Sequence, residues 1–295
     1  MEPLDRARQV VDELGRTWDG SILSRVDTGR STVLCLATEQ GPLWLKCGYA
    51  LPPREEVVLS KLAPRWSEHL PTVLASWHGG FAMAPMRGRA LDVQHGLGVW
   101  REAAALLGTV QRTEQDHTEA WLSLGVRDRR PEGFAAAMQR LLSSATVALL
   151  DADTRQRLAQ GMPRAIDWFA QHFQCRASLV PQDSGCCNIQ VSGGRLILHD
   201  WADVVVGHPA FSCDRLLDQA PADWHKDIIA AFAEAVGFSV QEFTSMRRLN
   251  VLHEALRYHD ELAHIEPGNP SYQKLQTASS SQLRVVVQHS TLFAA

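Results

Sequence analysis

The sequence predicts an α+β fold with a small β-rich part first and a larger, mainly helical part after it. Two hairpin patterns within the first 86 residues indicate the β-rich part. From residue 97 onward, long segments carry apolar residues at helical intervals, and one further hairpin pattern interrupts them between residues 188 and 199. A chain of 295 residues, 45% of them hydrophobic, is long enough to form two lobes of unequal size.

The first hairpin is indicated by two short apolar runs. Residues 32–37 (TVLCLA) and 43–46 (LWLK) are rich in strand-forming side chains. The segment 38–42 between them, TEQGP, contains the glycine and proline typical of a turn. We therefore expect Lys46 to lie at the end of a strand.

A helix is predicted ten residues later. The segment REEVVLSKLA, which contains Glu56, has apolar residues at helical intervals, and Pro52-Pro53 before it suits a helix start. A lysine on a strand and a glutamate on the following helix can form the ion pair that presents an ammonium group to nucleotide phosphates. The adjacent Glu55 is the alternative partner of Lys46.

The most informative segment is residues 179–201, LVPQDSGCCNIQVSGGRLILHDW. A loop bearing Asp183 and Asn188 leads into a hairpin with a turn at 192–194, and the second strand delivers Asp200. Phosphoryl transfer needs a residue that orients the acceptor hydroxyl, for which Asp183 is suited, and hard oxygen ligands for Mg²⁺, which Asn188 and Asp200 supply. Taken alone, this spacing is also typical of ordinary turn residues.

The order of these landmarks resembles a known family. Lys46, Glu56, the Asp183-x4-Asn188 spacing and Asp200-Trp201 followed by HPAFSCDRLL resemble the aminoglycoside phosphotransferase-like (APH/choline kinase-like) family of small-molecule kinases, over roughly residues 20–220. The resemblance implies a two-lobed protein-kinase-like fold. Residues 1–86 would form the N-lobe, with a nucleotide-binding β-sheet and one αC-like helix. Residues 87–295 would form the helical C-lobe, with the catalytic loop and hairpin and the acceptor site.

The resemblance also implies where a nucleotide binds. ATP, with GTP as the alternative, and Mg²⁺ are the implied cofactors. Ser31 lies in the turn that would cover the phosphates, although no G-x-G-x-x-G pattern is present. Backbone groups from Ala84 to Met86 would bond the adenine edge, and Met83 or Met86 would line its pocket. Each of these residues is also compatible with a purely structural role.

The acceptor side is implied less specifically. Asp203 and Asp214 follow the catalytic segment and are candidates for contacting the acceptor. Further acidic residues of the later helices are candidates for holding a cationic acceptor, although most such charges lie on solvated helix faces: Asp218, Glu254, Asp260 and Glu261. The resemblance alone favours an antibiotic or related natural product as the acceptor. Fold-level analogy does not choose among aminoglycosides, macrolides, peptides, nucleoside antibiotics, choline and sugar amines.

Two departures from the family pattern support an alternative function. Pro181 and Gln182 stand where the family has His and Gly, and Gly185-Cys186-Cys187 replaces a His-Pro-Gly type of loop. A catalytically impaired pseudokinase that only binds nucleotide is therefore the alternative. A protein-substrate kinase is disfavoured because no Ala-Pro-Glu segment follows Asp200.

Composition and net charge limit the remaining classes of partner and of cellular location. A net charge of −4 without a basic stripe gives no support for nucleic-acid or anionic-membrane partners. The charged N-terminal segment does not resemble a signal peptide, and no apolar run approaches membrane-spanning length. The six cysteines lack C-x2-C spacing, which favours reduced thiols in a cytoplasmic protein. No heptad pattern predicts an oligomeric state.

Overall fold

The computed structural model describes residues 2–28, 31–48 and 54–289. Contacts divide the chain into two compact units. The first comprises Met1–Leu91 and Cys187–Ala202, and the second comprises Asp92–Cys186 and Asp203–Ala295. The hairpin predicted between residues 188 and 199 therefore groups with the first unit, and the lobe boundary between residues 86 and 87 stays a prediction. Pro52 and Pro53 lie outside the described residues.

The α-helices of the described chain, in order, are α1 Pro3–Glu13, α2 Glu55–Trp66, α3 Gly96–Glu114, α4 Thr118–Ser123, α5 Pro131–Leu142, α6 Ala145–Ala148, α7 Ala152–His172, α8 Ala210–Leu217, α9 His225–Val236, α10 Val240–Met246, α11 Asn250–Leu262 and α12 Pro270–His289. The strands are β1 Trp18–Asp27, β2 Ser31–Thr38, β3 Gly41–Gly48, β4 Val73–Trp77, β5 Gly80–Met83, β6 Arg89–Ala90, β7 Arg127–Asp128, β8 Ser178–Pro181, β9 Ile189–Ser192, β10 Arg195–Leu198 and β11 Val204–Gly207.

The first unit is built on an antiparallel sheet in the order β1-β2-β3-β5-β4. Leu34 and Leu36 of β2 and Leu43 and Leu45 of β3 point to one face, because alternate residues of a strand share a face. The buried side of α1 packs against these leucines. The predicted 32–46 hairpin is confirmed, but β3 continues past Lys46 to Gly48.

A second sheet of this unit, in the order β10-β9-β6, contains the hairpin formed by β9 and β10. Its turn is Gly193-Gly194, with φ of 56° and 80°, the positive values that a two-residue hairpin turn of type I′ requires at both positions. The predicted hairpin and its turn are confirmed. At the other edge, Gly88 approaches Val191 so closely that a Cβ atom would lie 1.9 Å from the Val191 carbonyl oxygen.

The second unit is mainly helical, as predicted. Its largest buried side chains are Arg129 and seven aromatic residues: Trp100, Trp121, Phe134, Phe169, Phe211, Phe232 and Phe243. A small sheet in the order β7-β11-β8 also lies here. The sequence analysis missed β11, whose four residues are all buried, because a short apolar run without alternation has no strand signature.

Two segments whose apolar residues recur at helical intervals are predicted to be continuous helices, but the structure interrupts both. The pattern over residues 132–150 is split into α5 and α6 by the non-helical Ser143-Ser144. The pattern over 240–263 is divided between α10 and α11 by a 3₁₀ turn at Arg247–Leu249. The α+β, kinase-like fold class is confirmed. None of the helices in the described part of the chain combines the length and the hydropathy that a membrane crossing requires.

Candidate functional site

Lys46 forms the centre of a buried charge network in the first unit. Its ammonium nitrogen lies 2.7 Å from Oε2 of Glu55 and 2.7 Å from Oδ1 of Asp200. Burial disfavours the charged ammonium, but the two carboxylates outweigh this effect and raise the pKa of Lys46. The lysine therefore stays protonated.

Glu55, not Glu56, is the partner of Lys46. The prediction of Glu56 is wrong, and the alternative is correct. Helix α2 begins at Glu55, and successive helical residues point about 100° apart, so only one of the two can face Lys46. Glu56 instead accepts a hydrogen bond from the Gly79 amide at 3.1 Å and pairs with Arg54 at 3.4 Å.

Asp200 has an unusual backbone conformation. Its φ is 61°, and it is the one non-glycine residue with positive φ in the described chain. This region is costly for a residue with a Cβ and is common at functional sites. The conformation is held on both sides: Lys46 binds the carboxylate, and the following amide of Trp201 donates to Oε1 of Glu55 at 3.0 Å.

A cavity of about 400 Å³ opens beside this network within the first unit. Its lining combines an apolar wall with a polar end. The residues are Val33, Trp44, Lys46, Glu55, Pro71, Phe81, Met83, Met86, Cys187, Asn188, Gln190, His199 and Asp200. Such a combination is typical of a small-molecule pocket. Met83 and Met86 both line this cavity, and its use as the adenine pocket stays a prediction.

The hairpin register brings Asn188 and Asp200 to the same end of the hairpin. Ile189 pairs with Leu198, and the Asn188 carbonyl accepts a hydrogen bond from the His199 amide at 3.0 Å. Both side chains line the cavity, and the Asp200 side chain is 39% exposed. One carboxylate and one amide oxygen form a hard donor set that fits Mg²⁺.

Two other predicted nucleotide contacts do not line this cavity. The Ala84 amide donates to the Thr72 carbonyl at 2.9 Å, so an adenine contact at Ala84 would have to use its carbonyl. The Ser31 amide donates to Thr28 Oγ1 at 2.9 Å, which closes the turn. Their roles, and the backbone role of Met86, stay predictions.

Asp183 lies in the second unit, on the loop after β8. Its side chain is 26% exposed, and its Oδ1 lies 3.4 Å from Nε of Arg215 on α8. The sequence analysis missed Arg215, because a contact across 32 residues leaves no local pattern. This arginine gives Asp183 a fixed cationic neighbour.

The altered loop around Asp183 is supported by contacts of its own. The backbone N–H of the buried Gln182 donates to the Asp203 carbonyl at 3.0 Å. Pro181 pairs with Val204 in the sheet. Ser184 donates its hydroxyl proton to the carbonyl of Ser212. Replacement of His-Gly by Pro181-Gln182 is therefore accommodated by packing within this unit. The acceptor contact predicted for Asp203 remains a prediction.

Asp214 is not placed to contact an acceptor. Its side chain is 2% exposed and forms an ion pair with Arg247. Burial raises the pKa of Asp214 to about 7, although Arg247 opposes the shift. The prediction of an acceptor contact at Asp214 is wrong, because the carboxylate lies inside the unit.

The other acidic candidates are also engaged by arginines. Arg215 lies 3.8 Å from Asp218, and Arg257 contacts both Glu254 and Glu261. Asp260 is paired with Arg127 and Arg129. The negative charge expected to hold a cationic acceptor is therefore largely neutralised at these positions.

Comparison with known proteins relates this architecture to phosphotransferases. No family model matches the sequence, and no curated protein matches it. Among solved structures, macrolide 2'-phosphotransferase MphH from Brachybacterium faecium superimposes with a TM-score of 0.63 at 18% identity, covering 96% of this chain and 98% of that one. APH(2'')-IIa in ternary complex with streptomycin and ATP gives 0.65 at 12% identity, covering 100% and 99%. Choline kinase LicA from Streptococcus pneumoniae gives 0.65 at 12% identity, covering 95% and 98%. The chain therefore has the kinase-like fold of these small-molecule phosphotransferases.

Proposed function

We propose that this protein is an ATP- and Mg²⁺-dependent phosphotransferase that phosphorylates a hydroxyl group of a small molecule. The observation that carries the proposal is the Lys46, Glu55 and Asp200 network at the polar end of the cavity. The same fold occurs in APH(2'')-IIa, whose complex contains ATP. An enzyme that draws on ATP is expected in the cytoplasm.

In this proposal, the residues of the first unit bind the nucleotide. Lys46 holds the α- and β-phosphates, and Glu55 orients Lys46. The apolar wall, including Met83 and Met86, accepts the base. Asn188 and Asp200 hold Mg²⁺. When bound, this ion neutralises the phosphate charge that develops during transfer.

Asp183 serves the acceptor. It orients the hydroxyl group and accepts its proton as the bond to phosphorus forms. Arg215, which lies 3.4 Å from Asp183, fixes the direction of the carboxylate. Asp203 remains a candidate for contacting the acceptor. An antibiotic or related natural product is the favoured acceptor, since the similar structures include a macrolide phosphotransferase and a streptomycin complex.

A second candidate function is a pseudokinase that binds nucleotide without transferring phosphate. The contact between Arg215 and Asp183 favours it, because a carboxylate oxygen that faces an arginine is less available to an acceptor hydroxyl. ADP formation and nucleotide affinity, measured with ATP and with GTP in Mg²⁺ and in EDTA, separate the two. Mg²⁺-dependent turnover with a hydroxylated acceptor supports the phosphotransferase. Nucleotide binding without turnover across a broad acceptor panel supports the pseudokinase, and absence of nucleotide binding contradicts both.

A further inference from the structure

The short loop that carries Asp183 is held against α8 within the second unit. Arg215 of α8 faces the Asp183 carboxylate, and the Ser184 hydroxyl donates to the Ser212 carbonyl on the same helix. A third contact comes from Gln219, in the turn directly after α8. One element therefore contacts the loop at several successive residues.

Gln219 binds the backbone of the loop through its side-chain oxygen. The Cys186 N–H donates to Oε1 of Gln219 at 2.6 Å. Helical backbone continues through Asp218, so Gln219 lies on the same side of α8 as Arg215, four residues earlier. These two side chains therefore contact the loop at the Asp183 carboxylate and at a backbone amide three residues later.

Gly185 permits this close approach. An added Cβ at Gly185 would lie 2.7 Å from Oε1 of Gln219, and its three nearest neighbours would all be atoms of the Gln219 side chain. Glycine also has more backbone freedom than any other residue, which makes a fixed loop conformation more costly. A contact from outside the loop offsets this cost.

The sequence of the loop agrees with the contact. Gly185-Cys186-Cys187 replaces a His-Pro-Gly type of loop, so Cys186 stands at the position of the proline. Proline has a restricted backbone and no N–H group, whereas Cys186 has an N–H group to donate. Gln219 therefore provides, from another element, a restraint that proline would build into the loop itself.

We propose that Gln219 is a positioning residue for Asp183. It holds the Cys186 amide, and the loop backbone with it, so that the Asp183 carboxylate keeps its direction toward the acceptor hydroxyl. This inference rests on the phosphotransferase function proposed above. Displacement of a catalytic group lowers the rate of the chemical step, whereas ATP is bound by residues of the first unit. Loss of Gln219 should therefore lower kcat and leave KM for ATP unchanged.

Steady-state kinetics of the full chain and its variants tests the role of Gln219. Gln219→Ala should lower kcat by about 10-fold and change KM for ATP by less than about 2-fold. Gln219→Glu keeps an acceptor oxygen at the same reach and should retain kcat within about 2-fold. Gln139→Ala, at an exposed glutamine of α5 in the same unit, is the control and should change neither value.

A double-variant cycle tests whether Gly185 and Gln219 act through one contact. Gly185→Ala should displace the Gln219 carboxamide and lower kcat about as much as Gln219→Ala does. Added to Gln219→Ala, it should lower kcat by less than about 2-fold more, because the shortened side chain leaves room for the Cβ. Losses that multiply in the double variant would contradict the shared contact and overturn the proposal.

Hydrogen exchange at the Cys186 amide tests the contact without turnover. In chains with isotopically labelled cysteine, Gln219→Ala should speed exchange at Cys186 by about 10-fold, and Gln219→Glu should not. The amide of Cys35, within β2, is the internal control. Unchanged Cys186 exchange in Gln219→Ala, or an unchanged kcat, would overturn the positioning role. An unmodified chain that phosphorylates no acceptor would instead contradict the proposed function, and the exchange result does not depend on it.

Discussion

Lys46 pairs with Glu55 across a 2.7 Å contact, and the same glutamate accepts the Trp201 amide at 3.0 Å. Glu55 therefore connects the lysine proposed to bind phosphate to the backbone directly after Asp200. Because Lys46 also binds Asp200, the three residues support one another. Loss of Glu55 should disturb both the lysine and the Asp200 conformation.

The first prediction compares the two adjacent glutamates. Glu55→Gln should lower kcat/KM for ATP by at least about 100-fold, because it removes the charge that fixes Lys46. Glu56→Gln should change kcat/KM for ATP by less than about 3-fold, since Glu56 contacts Gly79 and Arg54 instead of Lys46. Steady-state kinetics of both variants measures this difference. Equal losses in the two variants would contradict the role assigned to Glu55.

The second prediction concerns Asp200 and Mg²⁺. Asp200→Asn retains the shape of the side chain and an amide oxygen but loses the charge. In the unmodified protein, addition of Mg²⁺ should increase the affinity for nucleotide. In Asp200→Asn, this increase should be smaller by about 10-fold or more. Titration of ATP with and without EDTA gives both values. An unchanged Mg²⁺ effect in Asp200→Asn would exclude Asp200 as a metal ligand.

The third prediction concerns Gly88, whose backbone lies close to the Val191 carbonyl group on β9. Gly88 has a φ of 89°, and a Cβ there would lie 1.9 Å from the Val191 carbonyl oxygen. Gly88→Ala should lower the free energy of unfolding by about 3 kcal/mol or more, from the left-handed conformation and the clash together. Gly237→Ala is the matched control, because Gly237 has a left-handed φ of 91° and an added Cβ would meet nothing closer than 3.6 Å.

For Gly237→Ala we expect a loss of only about 1 to 2 kcal/mol, from the conformation alone. Urea unfolding of both variants supplies the comparison. If the two alanines cost the same, then residues 88 and 191 are not as close as the structure has them.

The fourth prediction follows from the raised pKa of Asp214. The folded value of about 7 exceeds the unfolded value of about 3.9, so the folded chain binds more protons between these values. The contribution of Asp214 to stability is therefore present in full at low pH and is lost as pH rises toward 7. The slope is at most about 1.4 kcal/mol per pH unit.

Asp214→Asn should remove this part of the pH dependence. Asp167→Asn, at an exposed carboxylate on α7 that is not among the groups acting on Asp214, is the control. Unfolding free energies at pH 5 and pH 8 for the three proteins give the result. If Asp214→Asn loses as much stability over this interval as the unmodified chain, the carboxyl is already ionised at pH 5.

Local patterns in the sequence were sufficient for much of the fold. The 32–46 hairpin and the Gly193-Gly194 turn could be predicted because strand alternation and turn chemistry are short-range. The buried β11 could not, because its pairing with β7 and β8 joins segments far apart in the chain.

The candidate site was predictable only in part. The spacing identified Lys46, Asn188 and Asp200, which line one cavity. The choice between Glu55 and Glu56 depended on the residue at which α2 begins, and helix ends are the least predictable feature of a helix. The arginines that engage Asp183 and Asp214 lie 32 and 33 residues further along the chain, so only the tertiary structure reveals them.

The most direct test of the account measures transfer of the γ-phosphoryl group of ATP to a panel of hydroxylated antibiotics and metabolites by mass spectrometry. The unmodified chain should produce a phosphorylated acceptor together with an equal amount of ADP. Asp183→Asn should bind ATP with unchanged affinity, yet transfer at least about 100-fold more slowly, because the residue acts on the acceptor hydroxyl. Undiminished transfer by Asp183→Asn would contradict the account.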